Sequence, residues 1–494
     1  MPRETDGRWK VPADILAMKP TGTLVKRGHD DQHYYVYEHH CVKGTDGKWR
    51  TRNGPLIGYI QPGIGYISKN GQIASDKLTI LEYGQYALAY YNSMDVLNDL
   101  KLFFNSIDAV RIYVMSIIMA VQGKVALYKI PYYFKQSWFS VKYPTMKMGE
   151  DAIRTLLRNL GSKTERPDSY QDYMLENGSS QMIVDGHVIR SSSYENDLAA
   201  YGSKYKSLKD MQVNLLTILD GVTHRSLANR FYLGSTPDKV SIKGMIERRK
   251  LANKLFVVDK GFYSLVNLNL FSSGSNHYIV PLPMNTTAYR QATVDMTFVN
   301  RFVYQAGKTK TTVEYKEYFA DDGITRVIVF RDVNLNAIEC ESYERKMQMG
   351  IEGFTHDQYQ ILKTFFGVIV LQTDDSRLSC QKVYEIYKSR WSVETYYDYI
   401  RNDADFNAIG LHDYYEMQGY AFLILITSQI SYCISEACSR HSPGNIPGKC
   451  LLMAQSMKIN YIHNLWKIDC GMTNKMKAFL EAFNVPINEI PVAD

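Results

Sequence analysis

The sequence predicts a multidomain α/β protein: a mixed sheet with flanking helices, interrupted by a β-rich insertion and preceded by β and helical regions. Three observations predict it. The chain has 494 residues, more than one ordinary hydrophobic core accommodates. From residue 180 onward, short apolar runs alternate with helical patterning, as strands and covering helices do. Two of those runs, Met182-Ile-Val-Asp185 and Leu255-Phe-Val-Val-Asp259, end in a carboxylate.

Residues 1–80 read as a β-rich region. Tyr34–Tyr37 and Leu56–Ile60 are strand-like, with turn signals at Gly44–Gly47 and Asn53-Gly54 between them. His29, His33, His39, His40 and Cys41 fall here. Their spacing fits no standard zinc finger and no second ligand pair returns, so they read as strand and turn residues.

Residues 81–178 read as helical and as the DNA-binding candidate. Apolar positions recur at helical spacing over Val96–Phe104, Ala109–Ala126 and Ala152–Leu160, with a stop expected at Gly161. Between the second and third lies Tyr128–Tyr143, where aromatics interleave with Lys129, Lys135 and Lys142. That pattern suits stacking and phosphate contact, or equally a packed aromatic segment with solvated lysines.

Residues 179–283 form the first half of the predicted core, with strands at Met182–Asp185, Val213–Leu219, Ser226–Leu233 and Leu255–Asp259 and a basic helix at Lys239–Lys254. Residues 284–375 read as a β-rich insertion, with strands at Thr311–Tyr315 and Arg326–Phe330 and a turn at Asp321–Gly323. Residues 376–436 return to the core with a long helix, Cys380–Arg401, and a buried one, Gly419–Ile434. Residues 437–494 read as a small helical tail after a hinge at Pro443–Gly448.

Composition narrows the classes. Hydrophobic residues at 45% and charged residues at 22% exclude a disordered chain. A net charge of +6 permits a polyanionic partner without demanding one. Seven scattered cysteines, an odd number with no Cys-x-x-Cys pair, predict a reduced, cytoplasmic setting. The N-terminus is polar, and the apolar runs Ile112–Val121 and Tyr420–Ile426 are too short to span a bilayer, so no membrane role is expected.

The two strand-end aspartates carry the chemistry. α/β proteins place their sites at the carboxyl edge of the sheet, and an ionised carboxylate there needs a partner. A hard divalent cation is one such partner. A lone strand-end aspartate is more often a turn or helix cap, so a third carboxylate is needed. Glu394 supplies it: at about 100° per residue, Tyr387, Arg390, Glu394 and Arg401 share roughly a 60° arc of one helix face. An exposed Arg390–Glu394 pair at i,i+4 spacing is the plainer account of that stripe. Asp220, which closes Val213–Leu219, reads as a turn residue because Gly221 follows it.

The segment Tyr387-x-x-Arg390-x-x-x-Glu394, with Arg401 beyond, resembles the Tyr-Arg-Glu-Lys signature of DDE transposases in the insertion-sequence-four group. Val257-Val-Asp-Lys-Gly-Phe-Tyr263 is similar to the family's second-aspartate motif, and Gln181-Met-Ile-Val-Asp-Gly-His187 sits where the first aspartate is expected. Order and spacing agree, at 259 − 185 = 74 and 394 − 259 = 135 residues. Two departures stand out: Arg401 replaces the signature's lysine, and His187 follows where a small hydroxyl residue is usual.

The resemblance implies a ribonuclease-H-like core and cut-and-paste transposition. Asp185, Asp259 and Glu394 would hold two Mg²⁺ ions, with Mn²⁺ substituting, and double-stranded DNA would be cleaved at element ends and joined to a target. Tyr387, Arg390 and Arg401 would contact phosphates. Trp391, Lys260, Arg248, Arg249 and Lys250 are further DNA-contact candidates; for Trp391 packing on the sheet is the expectation, and for the basic helix a solvated face is the alternative. A homodimer on paired ends in a bacterial or archaeal cytoplasm, near the nucleoid, is the implied setting. The rival is a catalytically retired transposase surviving as a sequence-specific DNA-binding protein. Ala306-Gly-Lys-Thr309 mimics a phosphate loop, but Phe302 stands where its first glycine belongs.

Overall fold

The computed structural model describes residues 10–28, 33–62, 64–69, 80–123, 126–191, 195–202, 211–307, 309–320, 322–391, 411–462, 465–468, 473–488 and 490–492. Two compact units emerge. One comprises Met1–Ile80 with Asn460–Lys467, the other Leu81–Ile459 with Ile468–Asp494.

The first unit is built on a four-stranded antiparallel sheet: β1 (Thr23–Arg27), β2 (Tyr34–Lys43), β3 (Trp49–Gln61) and β4 (Gly65–Ser68). Its core is small: Ile15, Tyr34, Val36 and Ile60. The Gly44–Gly47 turn forms as expected, with Gly47 at φ +78°. Asn53-Gly54 does not turn. It runs inside β3, whose ladder with β2 shifts register next to it, and a Cβ at Gly54 would collide with the His40 ring. His39, His40 and Cys41 lie along exposed β2, and among the described residues no three His, Cys, Asp or Glu converge as a metal site.

After a short strand, β5 (Ile80–Glu82), the second unit continues with helices Gly84–Asn92, Met94–Phe103, Ser106–Gln122 and Glu150–Ser162. Gly161 does not stop the last of these. It lies inside the helix because a Cβ there would strike the Tyr415 carbonyl, and Gly419 opposite would strike that of Leu157. Two small residues thus let Glu150–Ser162 and the long helix Tyr414–His441 cross at backbone distance. Tyr414–His441 is long and apolar enough to cross a membrane by length and composition, yet its most apolar window is 72% buried by protein. In the aromatic segment, Trp138 and Phe139 are fully buried, whereas Tyr128, Lys129, Tyr132 and Lys135 are exposed. Packing and surface are therefore shared out within one stretch.

The second unit is organised by a nine-stranded sheet. Its strands are β6 (Gln181–Ser191), β7 (Met211–Asp220), β8 (Ser226–Leu233), β9 (Leu255–Val258), β10 (His277–Pro281), β11 (Asn300–Ala306), β12 (Thr309–Phe319), β13 (Arg326–Asp332) and β14 (Val368–Thr373). The order is β11-β12-β13-β14-β10-β9-β6-β7-β8. β6, β9 and β10 are parallel, β7 runs against β6, and β8 runs against β7. The β-rich block does not interrupt this sheet. Its strands extend it, joined where β14 pairs antiparallel with β10. Helix Tyr414–His441 lies over β8, where Gln418 Nε2 donates to the Phe231 carbonyl at 2.9 Å and Gln429 Nε2 to that of Ser226 at 2.8 Å. The tail is not purely helical: strands β15 (Lys458–Ile462) and β16 (Leu465–Ile468) separate helices Pro447–Gln455 and Asn474–Ala482.

Candidate active site

The ladder between β6 and β9 pairs Ile183 with Val257 and Val184 with Val258. One step further along both parallel strands stand Asp185 and Asp259. Equivalent positions on parallel neighbours share a face about 4.8 Å apart, so the two carboxylates stand side by side where β9 ends. Asp185 does not close its strand as expected, because β6 stays paired with β7 and runs on to Ser191. Four fully apolar, fully buried residues make β9 a core strand, and its chain turns as soon as Asp259 is reached. The Phe262 N–H closes that turn on the Asp259 carbonyl at 3.0 Å. Buried Asn267 donates its Nδ2 to the Phe262 carbonyl at 2.9 Å and holds the turn from behind.

The third component arrives from helix Cys380–Ser389. Ser379 caps it by accepting from the Lys382 N–H, and Cys380, Val383, Tyr384, Ile386 and Tyr387 form its buried stripe. The strands of the extension form its seat. Tyr384 packs its ring on Phe330 of β13 at 5.0 Å, and on Phe302 and Tyr304 of β11, while its hydroxyl donates to Asp332 at 3.3 Å. Buried Arg326 of β13 fixes the approach to the helix by donating to the Leu378 carbonyl at 2.6 Å and to Glu317 at 2.7 Å. Sequence reasoning missed Arg326, Asp332 and Tyr384. Their only signals were two charges at the ends of a strand-like run and an aromatic on the helix that follows the β-patterned block.

At the end of this helix Arg390 faces both aspartates. Nη1 lies 3.8 Å from Asp185 Oδ2 and Nη2 lies 3.9 Å from Asp259 Oδ1. Its side chain is 12% exposed, against 17% for Asp185 and 38% for Asp259. Burial opposes the guanidinium charge, but Tyr387, Asp259 and Asp185 outweigh it and hold its pKa above the ordinary value. Tyr387 is buried beside it, with the guanidinium 5.7 Å from the ring centroid. Burial pushes the Tyr387 phenol up to about 12, so it is a neutral hydrogen-bonding group at pH 7 and no base.

Two adjacent hard-oxygen carboxylates that share one guanidinium form a place where positive charge is required. Their donor set fits a divalent cation. Glu394 and Arg401 lie outside the described residues. Trp391 is 59% exposed, so it does not pack on the sheet. Lys260 is exposed directly after Asp259, and Lys250 is exposed in a left-handed helix cap. Arg248 and Arg249 are committed within the protein: both engage Asp168, and Arg249, 4% exposed, also bonds Asp172. Asp220 sits elsewhere. β7 is antiparallel to β6, so its end lies at the opposite edge, level with Met182.

The model of the transposase DDE domain matches residues 176–430, more than half of the chain. The chain belongs to the DDE transposase family. The match spans β6 to the helix Tyr414–His441 and therefore includes both aspartates, the β-strand extension and Arg390. DDE transposase domains use divalent metal ions, which agrees with the donor set at Asp185 and Asp259. A comparison with curated proteins finds no match. Among solved structures, one described as a piggyBac transposase synaptic complex with hairpin DNA is similar, with a TM-score of 0.38 at 10% identity over 77% of this chain and 82% of that one.

Proposed function

We propose that this DDE-family protein is an active cut-and-paste transposase of the insertion-sequence-four group, cleaving DNA at element ends and joining them to a target. The observation that carries this is the shared register of Asp185 and Asp259 with Arg390 between them. The strand order β8-β7-β6-β9-β10, with only β7 reversed among the five, supports a ribonuclease-H-like reading of the core.

In this reading Asp185, Asp259 and Glu394 hold two Mg²⁺ or Mn²⁺ ions. When bound, such ions supply an activated nucleophile, water and later a 3′-hydroxyl, and counter-charge for the leaving oxygen. Arg390 neutralises the aspartates before loading and is placed to meet a phosphate once they are otherwise engaged. Tyr387, held neutral, donates a hydrogen bond without competing for a proton. Exposed Lys260 follows Asp259 and exposed Trp391 follows Arg390 in the chain, and both serve as DNA contacts in this proposal.

Charge distribution supports a DNA partner. Residues 109–149 carry Arg111, Lys124, Lys129, Lys135, Lys142 and Lys147 and no Asp or Glu, a local +6 that equals the formal charge of the whole chain. Exposed Tyr128 and Tyr132 stand among those lysines. A homodimer on paired ends completes the proposal.

The test is nicking of a labelled element-end duplex in Mg²⁺ or Mn²⁺. The unaltered protein should cut it, and Asp185→Ala, Asp259→Ala and Glu394→Ala should bind but not cut. Binding without cutting by the unaltered protein would identify a retired transposase instead.

A further inference from the structure

Four side chains stand in one row across the core sheet. The antiparallel ladders pair Asn229 of β8 with Thr217 of β7, and Thr217 with Asp185 of β6. The parallel ladder adds Asp259 one step past Val184 and Val258. Directly opposed residues share a face, with Cβ atoms about 5 Å apart in an antiparallel pair. Thr217 therefore stands on the same face as Asp185, on the side away from Asp259.

Thr217 is 1% exposed, and among the described residues its Oγ1 has no hydrogen-bond partner. Among the described residues Gln212 Oε1 is the other buried side-chain atom of β7 without a partner, while the remaining polar groups of the strand are paired. Gln212 Nε2 donates to the Gly234 carbonyl at 2.8 Å and Asn214 Nδ2 to that of Thr236 at 2.7 Å. The Asp220 carboxylate receives three backbone N–H groups. Val would fill the Thr217 position with the same shape and without a stranded hydroxyl. A buried donor left without a partner next to a metal-binding carboxylate has a use if the carboxylate turns to meet it.

We propose that Thr217 is a positioning residue for Asp185. Its hydroxyl donates to the Asp185 oxygen turned away from the cation, which fixes the carboxylate and presents the other oxygen for coordination. This rests on the metal-dependent reading above.

The test uses the full chain and its Thr217→Val and Thr217→Ser variants, with Asp185→Asn as control. Mn²⁺ affinity is measured by electron paramagnetic resonance, and thermal melting is followed in EDTA. Thr217→Val should bind Mn²⁺ about tenfold more weakly, a typical loss for a residue behind a ligand, while melting in EDTA at or above the unaltered protein. Thr217→Ser, which keeps the hydroxyl and loses the methyl, should bind as the unaltered protein does. Unchanged affinity in Thr217→Val, or equal weakening in both variants, overturns the proposal. If the unaltered protein shows no Mn²⁺ site that Asp185→Asn removes, the metal reading itself has failed, and that result is distinct from either.

Discussion

Asp185 and Asp220 both belong to buried strands of one sheet, and they live differently. Asp220 takes the N–H groups of Ser179, Val222 and Thr223 at 2.6, 2.8 and 2.8 Å. Burial alone would raise its pKa, but those hydrogen bonds outweigh it and the carboxyl sits below the ordinary range. Asp185 and Asp259 instead face one guanidinium at 3.8 and 3.9 Å. One edge of the sheet satisfies its carboxylate with backbone and gains stability. The other sets two carboxylates around the Arg390 guanidinium, the arrangement on which the proposed chemistry rests. A cavity of about 290 Å³ lies at the first edge, lined by Gln181, Lys254, Leu255 and His277.

The largest effect that can break this contrast is catalytic. Asp185→Asn or Asp259→Asn should lower metal-dependent end cleavage at least about 10³-fold, with the melting temperature preserved, as measured by single-turnover kinetics. Cleavage within tenfold of the unaltered protein would remove either residue from the chemistry.

Next is Arg390→Gln. Without metal it should lose about 2 kcal/mol, between the ranges for exposed and buried ion pairs. Saturating Mn²⁺ should restore most of that loss in thermal melts. Equal loss with and without Mn²⁺ would mean that the guanidinium and the cation do not serve the same carboxylates.

Asp220→Ala should be smaller in stability, about 1–2 kcal/mol, and should leave the rate of end cleavage unaltered at a permissive temperature. A loss of cleavage matching Asp185→Asn would erase the distinction between the two edges.

The smallest effect is in pH. A carboxyl with a lowered folded-state pKa contributes stability above its unfolded value, near 4, and loses it as pH falls through the folded value. The melting gap between the unaltered protein and Asp220→Ala should be level from pH 5 to 7 and close below about pH 4. A gap that widens in acid would contradict the assignment.

The contrast was half legible in the sequence. Apolar runs ending in carboxylates pointed to Asp185 and Asp259. The pattern marks a true strand exit only at Asp259, whereas β6 continues six residues past Asp185 to Ser191 because β7 pairs with it that far. Asp220 was separated from them by its following glycine. The stronger reason, that β7 runs antiparallel and ends at the far edge, is a pairing fact that no local window contains. For the same reason β11–β14 looked like an interruption although they extend the sheet and seat the helix that carries Arg390. Gly161 misled because glycine's common role as a helix stop hid its other use, the close approach to Tyr415. Exposed Trp391 and internally paired Arg249 depart from composition-based expectation because neighbours, not residue type, decide burial.

The most direct test of the shared site is Fe²⁺-generated hydroxyl-radical cleavage of the polypeptide, which cuts the backbone beside a bound metal. Paired cuts around residues 185 and 259, suppressed together by excess Mg²⁺, are the predicted result. Cuts at one of the two alone, or at the Asp220 turn, would contradict it.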